Sequence, residues 1–232
     1  MRLHMGKPSI LSGDLFSFLR DLEVNNDKTW FEANKKRYEE SVKLPVLSFI
    51  AAFGPYLREI SPHFLAIPRA QGGSLFRIHR DLRFGKDKRP YKTNTGLHFR
   101  HKAGKDAHAP GFYVHLAPDE VFFAAGLWKP VTSVARSIRQ LIVDEPDEWA
   151  KVAVAMDKAR LQFAGDSLVR PPGGVDSNHP HIEDIKRKDF IVSRELDEKA
   201  ATSPDFLEQI ADYATQAAPL MMFLCRAVGV PF

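Results

Sequence analysis

The spacing of apolar residues changes period twice along this chain, and that change constrains the fold more than any single motif. Over residues 11–60 apolar positions recur every three or four residues, the signature of helices with one buried stripe. Leu11, Leu15, Phe18, Leu19 and Leu22 form the first stripe. Asn25-Asn26-Asp27 interrupts it, and Asp27 is placed to cap a second helix carrying Trp30, Phe31, Asn34 and Tyr38. A third helix is predicted over 45–60, with Pro45 early and Ser61-Pro62 as its stop. The texture then shifts to short runs at 75–79, 96–101, 111–116 and 121–125, bounded by Gly, Pro, Asp and Asn, which predict strands of an antiparallel sheet. Helical spacing returns over 131–143 and again after Pro146. Residues 165–180 read as a Gly/Pro-rich loop, and 190–192 as a further short strand. Phe206, Ile210, Tyr213, Ala217, Met221, Leu224 and Val228 then line a long final helix, with Ser203 as cap and Pro204 at its first position.

The expectation is one α+β domain over 11–232, behind a flexible N-terminus at 1–10. It has an antiparallel β-sheet with one face packed on helices, a helical N-terminal third and a long C-terminal helix. A hydrophobic fraction of 44% with 27% charged residues fits a globular core and excludes a disordered chain. The single cysteine, Cys225, excludes a disulfide scaffold and a Cys-rich zinc module. Its place beside the C-terminal stripe predicts a buried, inert thiol, while Tyr213 and Met221-Met222-Phe223 suit either the core or a dimer contact. No apolar run approaches the ~18 residues of a membrane span, and residues 1–8 hold no secretory h-region. No membrane association and a cytoplasmic location are expected.

Charge is concentrated. From Arg77 to Lys102 there are nine Lys or Arg and two Asp, a balance of +7 against +4 for the whole chain. One short segment therefore supplies the entire basic excess, which is either a solvated face or a site for an anion. Alternate side chains of a strand share a face. On that rule Phe76 and Ile78, Leu97 and Phe99, and Phe112, Val114 and Leu116 point to the helices. Arg77, His79, His98, Arg100, Tyr113 and His115 point the other way. Guanidinium and imidazole donors beside an aromatic body suit phosphate or carboxylate recognition, and the same set can stack on a nucleobase. A metal at His79, His98 and His115 is disfavoured by Arg77 and Arg100, and none is assigned. Asp176, His179 and His181 form a second polar cluster that reads as turn and cap chemistry.

Residues 80–94 connect the first two predicted strands, a long connection of the kind that carries function. It offers Arg80, Arg83, Lys86, Lys88, Arg89, Lys92, Thr93 and Asn94 as donors, with Asp81 and Asp87 as their orienting partners. Phe84 and Tyr91 are candidate anchors. The connection is not a P-loop, and the chain has no nucleophile elbow, no HExxH zinc motif and no dinucleotide fingerprint.

Several motifs belong together. Phe16-Ser-Phe-Leu19, Asn25-Asn26, Trp30-Phe31, Asn34-Lys35 and Tyr38 lead to Phe76-Arg77, Arg80-Asp81, Arg83-Phe84, Asp87-Lys88 and Pro90-Tyr-Lys-Thr-Asn94. Gly111-Phe-Tyr113, Pro118, Ala125-Gly126, Trp128, Pro130, His179-Pro180 and Lys188-Asp-Phe190 continue them. This pattern, over roughly residues 11–195, resembles the conserved hypothetical family catalogued as domain of unknown function 2461. The resemblance implies one intact domain and points to the loop 80–94. It implies no reaction, substrate or cofactor.

Three functions follow from the residues. The first is binding of a phosphate-bearing ligand, nucleotide or nucleic acid, by Arg77, Arg80, Arg83, Lys88, Tyr91, Lys92, Asn94, Arg100 and Tyr113. The second is an enzyme acting on a small phosphorylated or carboxylated substrate. There His79, His98 or His115 would be the general acid or base, and Asp81 or Asp87 an orienting group. The third is a structural or interaction domain in which Arg80, Asp81, Arg83 and Asp87 form a buried internal network. The sequence leaves cofactor and oligomeric state open among these.

Overall fold

A computed structural model describes residues 9–83, 88–104 and 109–232. Helix α1 (Gly13–Val24) is capped by the Ser12 hydroxyl. Helix α2 (Lys28–Ala33) is capped by the Asp27 carboxylate, which accepts from the Trp30 N–H at 2.9 Å. Both caps satisfy N–H groups that a helix start leaves open. A short α3 (Lys35–Tyr38) passes through one π-turn (Glu39–Lys43) into α4 (Leu44–Ile60), which has Pro45 in its first turn and ends at Ser61. Then come strands β1 (Thr95–Arg100), β2 (Gly111–Ala117) and β3 (Glu120–Leu127). Helices α5 (Thr132–Asp144) and α6 (Pro146–Lys158) lead to β4 (Gln162–Ala164), α7 (Ile182–Ile185), β5 (Phe190–Leu196) and α8 (Glu198–Ala201). The described chain closes with α9 (Phe206–Gln216) and α10 (Ala218–Ala227).

The five strands form one antiparallel sheet in the order β1-β2-β3-β5-β4. Leu97, Phe99, Phe112, Val114, Leu116 and Phe123 are fully buried or nearly so, on one face. Phe53 of α4 meets Phe99 at 4.6 Å between ring centroids, and Tyr213 of α9 meets Phe123 at 6.0 Å. The helices thus cover that face, as the alternation predicts. The chain is one α+β domain with a helical N-terminal region.

Three local expectations change. Residues 75–79 are not a strand. Leu75 and His79 make isolated bridges to Leu97 and Tyr91, and Phe76 is 40% exposed, not core-facing. The run is too irregular to alternate: Leu75 and Ile78, three apart, are its buried residues. The C-terminal stripe divides into two helices at Ala217, because Pro219 has no N–H for the Thr215 carbonyl and its ring crowds that group. Ser203 makes no side-chain cap; its hydroxyl is buried without a partner, while its carbonyl accepts from Phe206. Strand β4 escapes sequence reading because three residues carry no period, and it exists by pairing with β5. Tyr213, Met221 and Phe223 are core residues, and the Cys225 thiol is buried and pushed up to about 12. Of the N-terminal segment, residues 1–8 lie outside the described residues. The Ser9 hydroxyl donates to Leu11 and Ser203 carbonyls.

Gly126 permits the join between β3 and β5. Its φ is +131°, and a Cβ there would lie 2.1 Å from the Phe190 carbonyl oxygen. Gly126→Ala is expected to destabilise the domain by about 3 kcal/mol, the upper end of overpacking costs. Gly13→Ala, where nothing lies within 4 Å of the added methyl, should be neutral. Chemical denaturation of both variants checks this, and equal midpoints would contradict it.

Candidate functional site

The face turned away from the helices is built from the alternate residues of the same strands. Register sets His98 beside Tyr113, Tyr113 beside Ala124, and His115 beside Phe122. The phenol of Tyr113 lies over β1 at Gly96, where a Cβ would come within 2.5 Å of its hydroxyl. Arg100 closes the same row and is exposed.

Residues 74–80 run along the free edge of β1 and its approach. Phe76 N–H donates to Gly96, His98 N–H to Ser74, Lys92 N–H to Ile78 and Arg80 N–H to Pro90, all at 2.7–2.9 Å. This ribbon brings Phe76 onto the polar face. Its ring sits 5.9 Å from Tyr113 and 5.8 Å from His98, and Lys92 Nζ lies 5.3 Å over it. Lys92 is half-buried and has no carboxylate partner among the described residues. Burial first, then the charges of Arg77 and Arg80, hold its ammonium below its ordinary value. Lys92 thus meets the Phe76 ring within the field of two further cations. Sequence reasoning assigned Phe76 to the core and so missed the residue around which the face is arranged; Gly96 opposite it was the available signal.

The loop is anchored from the helical side. Asn26 donates from Nδ2 to the Tyr91 carbonyl at 3.1 Å and accepts the Tyr91 N–H on Oδ1 at 3.0 Å. The Tyr91 ring stacks on Phe31 at 4.0 Å and is 2% exposed. Tyr91 is thus an anchor and not a ligand contact, because its ring is enclosed in the core. His79 packs one side of its ring against Tyr91 and Phe31 at 5.1 and 6.3 Å and is exposed on the other. Asp81 and Arg83 form a bidentate pair at 3.0 and 2.7 Å, with Arg77 at 4.0 Å from Asp81. The Arg83 guanidinium holds the Asp81 carboxyl well below the carboxylate range. The pair is exposed, so a buried network does not describe it. Lys88 is exposed, with Nζ donating to the Leu82 carbonyl, and Asn94 is half-buried at the foot of β1. The predicted Phe84, Lys86 and Asp87 lie outside the described residues.

The imidazoles have separate environments. His101 is committed to structure: Nε2 pairs with the Pro231 carbonyl at 2.8 Å and Nδ1 accepts from Ala103. His115 stacks on Phe122 at 4.8 Å and 5°. Its Nδ1 lies 3.0 Å from the Tyr113 hydroxyl and its Nε2 3.4 Å from Glu120. Burial outweighs Glu120 and lowers the His115 pKa, while burial and then Glu120 push Tyr113 up to about 12. A neutral His115 with its Nε2 proton toward Glu120 accepts a hydrogen bond from the Tyr113 hydroxyl on Nδ1. Glu120 and Phe122 were not legible as partners before the β2–β3 register was known. His98 lies well below its ordinary 6.5, at about 4, through burial and then the Arg100 charge. Its ring has no hydrogen-bond partner among the described residues. Among the described residues no three His, Cys, Asp or Glu side chains group as metal ligands. In the second polar cluster Asp176 caps Asn178, His179 accepts from the His181 N–H, and His181 pairs with Pro146.

Two glycines and a buried carboxylate hold the far end of the face. Asp189 accepts from Lys129 and Asp166 N–H groups at 2.7 and 2.9 Å, and a Cβ at Gly165 would lie 2.4 Å from the Asp189 Cβ. The chain matches the family described as a conserved hypothetical protein (DUF2461) over residues 14–223. It belongs to that family. The match includes the whole face and extends past the expected boundary into α10. No curated protein matches the chain.

Acid titration reads the environment of His98. Below about pH 6.5 the unfolded chain protonates this residue, while the folded protein resists until about 4. The unfolded state then binds more protons, so stability falls as pH drops through that window, by up to about 1.4 kcal/mol per pH unit. His98→Gln should flatten the profile between these limits. An unchanged slope in denaturation against pH would contradict the assignment.

Proposed function

We propose that this domain binds a phosphate-bearing ligand, a nucleotide or nucleic acid, on the polar sheet face. The carrying observation is Lys92, half-buried over the Phe76 ring with Arg77 and Arg80 acting on it and, among the described residues, no carboxylate partner. Such crowding costs free energy in the empty site, and an anion removes that cost. Phe76 and Tyr113 give the ligand an aromatic flank. Arg100 and neutral His98 add donors from β1.

A second reading, an enzyme acting on a phosphorylated or carboxylated substrate, rests on Tyr113, His115 and Glu120. A hydroxyl within 3.0 Å of an imidazole that a carboxylate backs is the arrangement of a base-activated group. Among the candidate histidines, His115 is the one with both a hydroxyl and a carboxylate beside its ring. The single buried cysteine is in keeping with a reducing, cytoplasmic setting. Among the described residues no helix is long and apolar enough to cross a membrane.

Thermal stability against inorganic pyrophosphate, mononucleotides and oligonucleotides, at low and physiological salt, tests the proposal. A ligand at about 100 times its Kd stabilises by about 2.7 kcal/mol. A saturable shift in the wild type that Lys92→Met removes is expected. Shifts confined to oligonucleotides and lost with salt would identify a nucleic-acid surface. No shift with any phosphorylated probe would overturn the proposal.

A further inference from the structure

We infer that the ligand of this face carries two phosphates separated by about one nucleoside, one held at Lys92 and the other in a cleft beside Arg100. This rests on the phosphate-binding reading above and adds a second subsite to it. Between residues 65–74 and the end of β1 lies a cleft of about 230 Å³. Leu65, Ile67, Ser74, His98, Arg100 and Lys102 line it, and among the described residues no Asp or Glu does. Its volume is below the ~300–1,000 Å³ of sites that enclose a whole small molecule, so it suits one anionic group.

Most polar groups around the cleft are already used. The Ser74 hydroxyl donates to the Leu65 carbonyl and accepts from the Ile67 N–H. His101 is tied to Pro231 and Ala103. What remains is the His98 ring, without a partner among the described residues, together with two cations, Arg100 and Lys102. A neutral imidazole beside a guanidinium adds a directional donor without a further like charge.

Phe76 joins the two subsites. Its ring touches His98 of the cleft at 5.8 Å and lies under Lys92 Nζ at 5.3 Å, with 40% of the residue exposed. A ligand reaching from one cation set to the other must cross this ring, which favours an apolar or aromatic spacer. Two phosphates flanking a nucleoside have that form. The chemistry is shared by a nucleoside 3′,5′-bisphosphate and by a segment of a single strand.

Calorimetric titration with adenosine 5′-monophosphate, adenosine 3′,5′-bisphosphate and a tetranucleotide separates the cases. The bisphosphate is expected to bind at least about tenfold tighter than the monophosphate, the value of one charge-assisted contact. Lys102→Gln should remove that advantage and leave monophosphate binding in place, and Arg100→Gln should weaken the bisphosphate more than the monophosphate. Both residues are exposed, so unchanged melting temperatures verify folding. A tetranucleotide that binds tighter still, with a steeper salt dependence, identifies a strand as the source; equal or weaker binding identifies the small molecule. Equal affinity for mono- and bisphosphate, or equal weakening of both by Arg100→Gln, would overturn the two-subsite inference alone. Absence of binding by all three probes would overturn the underlying reading as well.

Discussion

Asn26 holds the backbone of Tyr91 from both sides, donating to its carbonyl and accepting its N–H. The side-chain amide replaces a strand partner where the sheet has none. The placement of Lys92 beside the ribbon 74–80 rests on this contact, because that ribbon is held by single bonds and isolated bridges. The Tyr91 ring, stacked on Phe31, fixes the same point to the helical core. Lys92, the next residue, is thereby set over Phe76. The N-terminal helices therefore do more than cover the sheet: they position the end of the basic loop.

The electrostatics of the face follow from that placement. Lys92 cannot turn fully into water, and it shares its surroundings with Arg77 and Arg80. Burial holds the His98 and His115 imidazoles below their ordinary values, with the Arg100 charge adding to it at His98 and Glu120 opposing it at His115. Glu120 is the carboxylate that meets this set, at its far edge through His115. The face is thus graded, cationic toward β1 and the loop, and acid–base paired toward the β2–β3 hairpin.

Much of this was legible in the residues. Short runs bounded by turn residues marked four of the five strands, period-two alternation marked the buried face, and Asp27 announced its own helix start. What was not legible depends on contacts across the chain. Asn26 reads locally as a helix breaker, and only the fold supplies its partner 65 residues away. Phe76 sits in an irregular ribbon, so the alternation rule put it on the wrong side. Tyr91 looked like a ligand contact because it lies among cations, but its ring turns into the core. The break at Ala217 was marked by Pro219, yet the apolar stripe continues across both helices and hides it.

Arginine side-chain NMR during titration with inorganic pyrophosphate tests the central claim most directly, because it reports which guanidiniums meet the anion. The account predicts that the Nε–H signals of Arg77 and Arg80 shift together and saturate, while those of the exposed Arg58, Arg136 and Arg170 stay in place. Non-saturating shifts spread over all of these arginines, or no shift at Arg77 and Arg80, would contradict it.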